Sequence, residues 1–163
     1  AIMKERENAM KKLVCAAFAV ALLAGCSGGK EETKTMTCTA EQKSNGSTIT
    51  QTIKFDYQGD NITKQDQKTV IVAPDKKTYE AMLPTLKGAS LEDKAKGVEG
   101  MSYSLKEDKD KFSITESIVF DITKIDPKDY GSFTNQKLSG KKMVMDLEKT
   151  KENIEKGGLT CKK

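Results

Sequence analysis

The sequence contains no histidine and no tryptophan, and Arg6 is its only arginine. Histidine is the usual general base and transition-metal ligand near neutral pH, so its absence excludes Ser-His-Asp and Cys-His catalysis and histidine metal sites. Arg6 precedes the part of the chain predicted to fold, so arginine clamps on phosphate or carboxylate are also excluded. We therefore predict a protein that is not an enzyme, with no catalytic residue, cofactor or metal ion.

The charged residues are spread along the chain and are not clustered. The 28 basic and 24 acidic residues leave a net charge of +4. A nucleic-acid-binding protein would concentrate its lysines on one segment or face, so no nucleic-acid partner is predicted. Three nearby acidic residues, Asp56, Asp60 and Asp66, lack the Asp-x-Asp-x-Asp-Gly spacing of a calcium loop.

The N-terminal residues have the pattern of a signal peptide, predicted over 1–25. Lys11 and Lys12 precede an uninterrupted apolar run over residues 13–24. A helix of that length covers roughly 18 Å, whereas the hydrocarbon core of a membrane is roughly 30 Å thick, so the run is too short to span. Removal of residues 1–25 takes away four basic and two acidic residues and lowers the net charge to +2.

The apolar run ends in Leu23-Ala24-Gly25-Cys26, which resembles the lipobox of bacterial lipoproteins. The resemblance implies cleavage before Cys26 and lipidation of its thiol, so that membrane lipid is a partner through Cys26 acylation. Residues 26–33 are small and charged and form the predicted lipidated tether. The implied location is extracytoplasmic, anchored to the cell membrane, or to the outer membrane of a Gram-negative host.

Only two of the four cysteines are available to the folded domain. Cys15 leaves with the signal peptide, and Cys26 is used by the lipid. Cys38 and Cys161 then lie outside the cytoplasm at opposite ends of the domain, and we predict a disulfide between them. The alternative is a pair of free thiols, because only some bacterial envelopes favour disulfides.

Alternating apolar residues and turn residues predict a single α+β domain over residues 34–163. The fold is a mostly antiparallel sheet of about five strands with two helices on one face, in the order β-β-β-α-β-β-α. Asn45-Gly46 favours a tight hairpin between the first two strands. The predicted strands are 35–43, 47–57, 61–72, 101–107 and 111–123. The predicted helices lie within 74–96, kinked or split near Pro84 and Gly88, and over 143–156, with a loop at 126–140 and a short terminal segment along the sheet at 159–161.

This order of elements and several short strings resemble the YehR-like bacterial lipoproteins, a family catalogued as a domain of unknown function. The strings are Tyr57-Gln58-Gly59-Asp60, Lys64-Gln65, Gly97-Val98-Glu99, residues 114–125 and residues 156–159. The resemblance implies an α+β fold and lipid anchoring. It implies no activity and no functional residues.

Two polar residues share the predicted apolar faces of strands. Glu116 is in phase with the apolar residues of its strand, and Gln51 is in phase with those of the second strand. A buried carboxylate without a partner is costly and can indicate a tuned acid or a ligand contact. We predict a structural explanation instead, which is a bulge, an edge position or a lysine partner.

The predicted function is a non-enzymatic module that binds an unknown envelope ligand or partner protein. The tentative binding loop contains Tyr130 and Phe133, two aromatic residues separated by Gly131 and Ser132. The first alternative is a hydrolase working through two carboxylates such as Glu116 and Asp121, which would have to share a cleft. The second is a purely structural envelope protein.

Overall fold

Three long strands joined by tight turns form the centre of the structure, a computed structural model that describes residues 31–163. The strands are β1 (Lys34–Ser44), β2 (Ser47–Gln58) and β3 (Asn61–Val72). Asn45 and Gly46 connect the first two with positive φ angles of 49° and 80°. Asparagine and glycine tolerate this left-handed conformation, which makes the tight turn possible. The Asn-Gly hairpin is therefore confirmed.

Three further strands complete a six-stranded sheet in the order β4-β5-β3-β2-β1-β6. They are β4 (Met101–Asp108), β5 (Ser113–Asp121) and β6 (Thr160–Lys162). Every neighbouring pair is antiparallel. The predicted α+β fold is confirmed, and the short C-terminal segment adds a sixth strand. The predicted signal peptide and Cys26 lie outside the described residues.

The helices pack on one face of the sheet, which we call the inner face. They are α1 (Lys76–Gly88), α2 (Glu92–Ala95), α3 (Pro127–Thr134) and α4 (Leu147–Lys156). The larger apolar cluster lies under α3 and α4 and includes Phe55 and Phe120. A smaller cluster under α1 includes Tyr79 and Ile114. The inner face therefore has two apolar regions, one toward each end of the sheet.

The segment 126–140, predicted to be a loop, contains α3. Pro127 stands at the first turn of this helix, where the missing N–H costs nothing. The Asp126 carboxylate caps the helix by accepting a hydrogen bond from the backbone N–H of Lys128 at 2.8 Å. Asn135 ends it in the left-handed conformation, with φ of 55°. Pro127, which suggested a loop, is thus the first residue of a helix.

The last helix begins later than predicted. The chain is extended up to Asp146, and Met143 and Met145 are both buried, as alternate residues of an extended segment. Asp146 forms an isolated bridge with Asn61 and then caps α4. The helix therefore occupies Leu147–Lys156 and not the whole of 143–156.

The predicted disulfide between Cys38 and Cys161 is present. The two cysteines face each other directly in the register of β1 and β6. Cys38 is completely buried, whereas Cys161 is half-buried. The bond ties the C-terminal strand to the first strand of the sheet.

Candidate functional site

Tyr130, predicted to lie in a binding loop, is a core residue. It is 0% exposed, its ring packs edge-on against Phe120 at 4.9 Å, and its hydroxyl donates a hydrogen bond to Gln65 Oε1 at 3.1 Å. Burial raises the pKa of the Tyr130 hydroxyl well above its usual value. Phe133 is half-buried against the same cluster. The predicted binding loop is corrected, because Tyr130 is closed to a ligand at the surface.

Glu116 lies on the inner face of β5 and is half-buried. Its carboxylate accepts a hydrogen bond from the Tyr103 hydroxyl of β4 at 2.8 Å. The prediction of a bulge, an edge or a lysine partner is wrong: β5 pairs regularly with strands on both sides, and the partner is a tyrosine. Burial raises the pKa of Glu116, although the hydrogen bond from Tyr103 opposes this effect.

Tyr103 is held in place by the same environment. Burial is the main cause that raises its pKa to about 12, and the hydrogen bond to Glu116 acts in the same direction. A side-chain hydrogen bond with Ser90, in the segment before α2, lowers the pKa of Tyr103 and so acts in the opposite direction. Tyr103 is therefore a neutral donor to Glu116 at ordinary pH.

Glu116 belongs to a line of residues that crosses the sheet, which we call the cross-sheet row. In register, the row is Ala40, Gln51, Thr69, Glu116 and Leu105, from β1 to β4. Ala40, Thr69, Glu116 and Leu105 are each half-buried, whereas the same-face residues on either side along β5 are buried. The row lies between the two apolar clusters, and Ala40 and Leu105 at its ends pack against them.

Three inner-face glutamines of β2 and β3, Gln51, Gln65 and Gln67, are almost completely buried. Gln51 is 2% exposed and Gln67 is 4% exposed. Within the described residues, Gln51 Oε1 and Gln67 Nε2 have no hydrogen-bond partner. Gln67 stands one row away, between Ile53 and Ile118. A buried polar atom without a partner costs about 1–3 kcal/mol, so this pair points to a missing partner.

Asp121, the second carboxylate of the hydrolase alternative, is not brought to Glu116. The two residues are five positions apart on β5, so their side chains point to opposite faces of the sheet. Asp121 instead accepts hydrogen bonds from Thr123 and lies 3.6 Å from the Lys124 ammonium. These contacts lower the pKa of Asp121. The pair therefore forms no catalytic cleft.

A separate groove of about 510 Å³ lies between α1 and the turn that joins β4 to β5. Tyr79 and Phe112 form part of its wall, with ring centroids 6.2 Å apart. Phe112 has a positive φ of 49°, which is rare for a bulky residue. The remaining lining residues are Lys76, Glu80, Leu83 and Lys109.

Sequence reasoning identified Gln51 and Glu116 as polar residues on apolar faces, but it missed Gln67, Thr69 and Tyr103. Along β3, Gln67 and Thr69 alternate with lysine and aspartate. The buried face of this strand therefore cannot be recognised from apolar periodicity alone. Their position on the inner face follows from the pairing of β3 with β2, because buried residues alternate regularly along β2.

No protein-family model and no curated protein matches the chain. Two solved structures are similar. An NMR structure of a protein from Streptococcus pneumoniae TIGR4 is 19% identical, with a TM-score of 0.51 over 89% of this chain and 94% of that one. The NMR structure of the Escherichia coli YehR protein is 23% identical, with a TM-score of 0.52 over 83% of this chain and 93% of that one. The resemblance predicted from the sequence is thus confirmed in the fold: the chain folds as E. coli YehR does.

Proposed function

We propose that this protein is a lipid-anchored extracytoplasmic binding protein, without catalytic activity, that receives a small polar ligand at the cross-sheet row. One observation carries the proposal. Within residues 31–163, the buried amides of Gln51 and Gln67 each have an unpaired polar atom, and both residues lie in or next to the row that contains the half-buried Glu116. Folded proteins rarely keep such groups together unless a ligand or water satisfies them.

The proposed location is supported by sequence and structure together. The lipobox at Leu23-Ala24-Gly25-Cys26 supports lipidation of Cys26. The Cys38–Cys161 disulfide supports an oxidising compartment, where such bonds persist. No helix within the described part of the chain is long and apolar enough to cross a membrane. Attachment through the lipid on Cys26 accounts for membrane association without such a helix.

A purely structural protein would have a different inner face. Positions 51 and 67 would be expected to carry apolar residues, as the neighbouring buried positions Ile49, Ile53 and Ile118 do. Replacing a buried polar pair by apolar residues is often neutral or stabilising, so stability alone does not favour the glutamines. The glutamines therefore support a binding role over a structural one.

Lipid anchoring is tested in bacteria that export the intact chain. We expect the protein to appear in the membrane fraction and to incorporate labelled palmitate. The matched variant is Cys26→Ala, with Cys15→Ala as the control, because Cys15 lies in the predicted signal peptide. Failure of Cys26→Ala to abolish palmitate labelling would refute the anchoring.

Ligand binding is tested with the mature lipoprotein purified in detergent. A library of small polar compounds is screened by isothermal titration calorimetry, and we expect a hit whose affinity falls at least tenfold in Gln51→Leu. Thr52→Val is the control, because Thr52 is the next residue of β2 and faces the opposite side of the sheet. Hits with equal affinity for Gln51→Leu and wild type would place the site elsewhere.

A further inference from the structure

Among the described strands, the inner face of the sheet carries two acidic side chains, and its one lysine, Lys34, pairs with Tyr57, away from both. The two are Glu107 and Glu116, which share a face with Tyr103 and Leu105 in the strand register. Glu107 is neutralised by the Lys87 ammonium of α1 at 2.6 Å. Glu116 receives only the neutral hydroxyl of Tyr103, and no described cation pairs with it. Of these two inner-face carboxylates, Glu116 is the more buried, and it is the one that has no cation among the described residues.

Two acceptor groups of the cross-sheet row, on Glu116 and Gln51, lack a full set of donors. The carboxylate has two oxygens and one donor, and the buried Gln51 Oε1 has no donor among the described residues. Thr69 stands between Gln51 and Glu116 in the cross-sheet row. Gln51 and Glu116 are two strands apart, roughly 10 Å at the backbone, a separation suited to two long side chains with one small cation between them.

Within the described residues, β3 has two unpaired amide donors on the inner face: Gln67 Nε2, next to the row, and Gln65 Nε2, two residues further from it. An amide N–H requires a neutral or anionic acceptor from the ligand. An anionic acceptor is disfavoured, because the cross-sheet row contains no lysine and Glu116 would repel an anion. The ligand group that accepts the hydrogen bond from Gln67 is therefore neutral, such as a carbonyl or a hydroxyl.

A divalent metal ion does not fit these groups. Among residues 31–163, no three side chains of acidic residues or cysteines converge to hold one. Glu116 is the single carboxylate of the row, and hard cations take six or more oxygen ligands. An ammonium group has three N–H donors and needs only a few acceptors.

We propose that the ligand of the cross-sheet row is a small primary amine with a neutral hydrogen-bond acceptor, its ammonium bound by Glu116 and Gln51 and its acceptor by Gln67. This proposal rests on the function proposed above. Amino acid amides, amino alcohols and amino sugars belong to this class. A ligand would reach the row at Thr69 and Glu116, which are half-buried.

The test is calorimetric titration of the detergent-purified mature lipoprotein with three matched probes at pH 7. Glycinamide carries the amine and the carbonyl, acetamide lacks the amine, and glycine replaces the neutral acceptor by a carboxylate. We expect glycinamide to bind at least tenfold more tightly than either of the others. Equal binding of acetamide and glycinamide would overturn the amine assignment and leave the proposed binding function intact.

Glu116→Gln is the variant that removes the charge with the smallest change in shape. We expect it to weaken glycinamide at least tenfold and to leave acetamide unchanged. Ser117→Ala is its control, since Ser117 is the next residue of β5 and faces the opposite side. Circular dichroism confirms that each variant is folded, and Gln51→Leu provides a second folded variant that should weaken glycinamide. Unchanged glycinamide binding in both inner-face variants would overturn the assignment, whereas the absence of any small polar hit would overturn the proposed function itself.

Discussion

Glu116 should make the stability of the protein depend on pH. Burial raises the pKa of this carboxyl above its ordinary value of 4.5. The folded state then binds the proton more tightly than the unfolded state does, so the stability contributed by protonated Glu116 is lost as pH rises from 4.5 through the raised value. Glu116→Gln lacks this dependence. We expect the free energy of unfolding of the variant, relative to wild type, to increase with pH over that window.

Urea unfolding followed by circular dichroism between pH 4 and pH 7 measures this difference. The other carboxylates titrate in both proteins and cancel in the comparison. Tyr103, the titratable group that contacts Glu116, has its pKa raised to about 12 and stays neutral throughout. Ser117→Ala should run parallel to wild type at every pH. A Glu116→Gln curve that also ran parallel would show that the pKa of Glu116 is not raised.

Gln51 should cost the protein stability in the absence of ligand. Its side chain is 2% exposed and Oε1 has no partner within the described residues. Leucine has a similar volume and no polar atom, so we expect Gln51→Leu to raise the free energy of unfolding by about 1–3 kcal/mol. Thr52→Val, on the opposite face, should change it by less than about 0.5 kcal/mol. A destabilised Gln51→Leu would show that the amide is satisfied in the folded protein.

The strands were easier to predict than the helices, because a half-buried strand alternates in sequence. β3 (Asn61–Val72) has the bounds predicted for it, and β2 ends one residue later than predicted. The helix α3 was missed because Pro127 also favours a loop, and only its cap by Asp126 separates the two. The start of α4 was placed too early, because Met143 and Met145 also fit a helical face. A short helix contains too few residues to show a clear apolar periodicity, so its first and last residues must be predicted from the capping residues.

The cap of α4 gives a prediction for this helix. The Asp146 carboxylate accepts a hydrogen bond from the backbone N–H of Lys149 at 2.8 Å. Asp146→Ala leaves that N–H without its partner, and we expect a loss of about 1 kcal/mol in the free energy of unfolding. Asp146→Asn should remain close to wild type, because asparagine caps equally well. Equal losses in both variants, measured by urea unfolding, would assign the effect to charge and not to the cap.

The candidate site depends on contacts between distant parts of the chain, and this explains why it could be predicted only in part. Periodicity placed Gln51 and Glu116 on apolar faces of separate strands. Their membership of one row follows from the pairing of β2 with β3 and of β3 with β5, and residues 73–112 separate the last two strands. Sequence alone left that register open. The disulfide was predictable because the resemblance to a lipobox left only Cys38 and Cys161 for the folded domain.

The Cys38–Cys161 bond should hold the whole domain together, because it joins residues 123 positions apart. The chain-entropy model gives a loop of this length about 4–5 kcal/mol of stability, through its effect on the unfolded chain. β6 is otherwise attached to β1 by only three residue pairs. We expect reduction of the wild-type protein to lower its free energy of unfolding by about that amount in urea.

Reduction is preferable to substitution for this measurement, because Cys38 is completely buried and Cys38→Ala would also leave a cavity. The double variant Cys38→Ala/Cys161→Ala serves as the control, since its unfolding should not respond to reductant. Its stability should lie at or below that of the reduced wild type, by the cost of the cavity. An unfolding midpoint of the wild type that stays constant in reductant, with free thiols verified by mass, would show that the sheet and helices hold β6 without the bond.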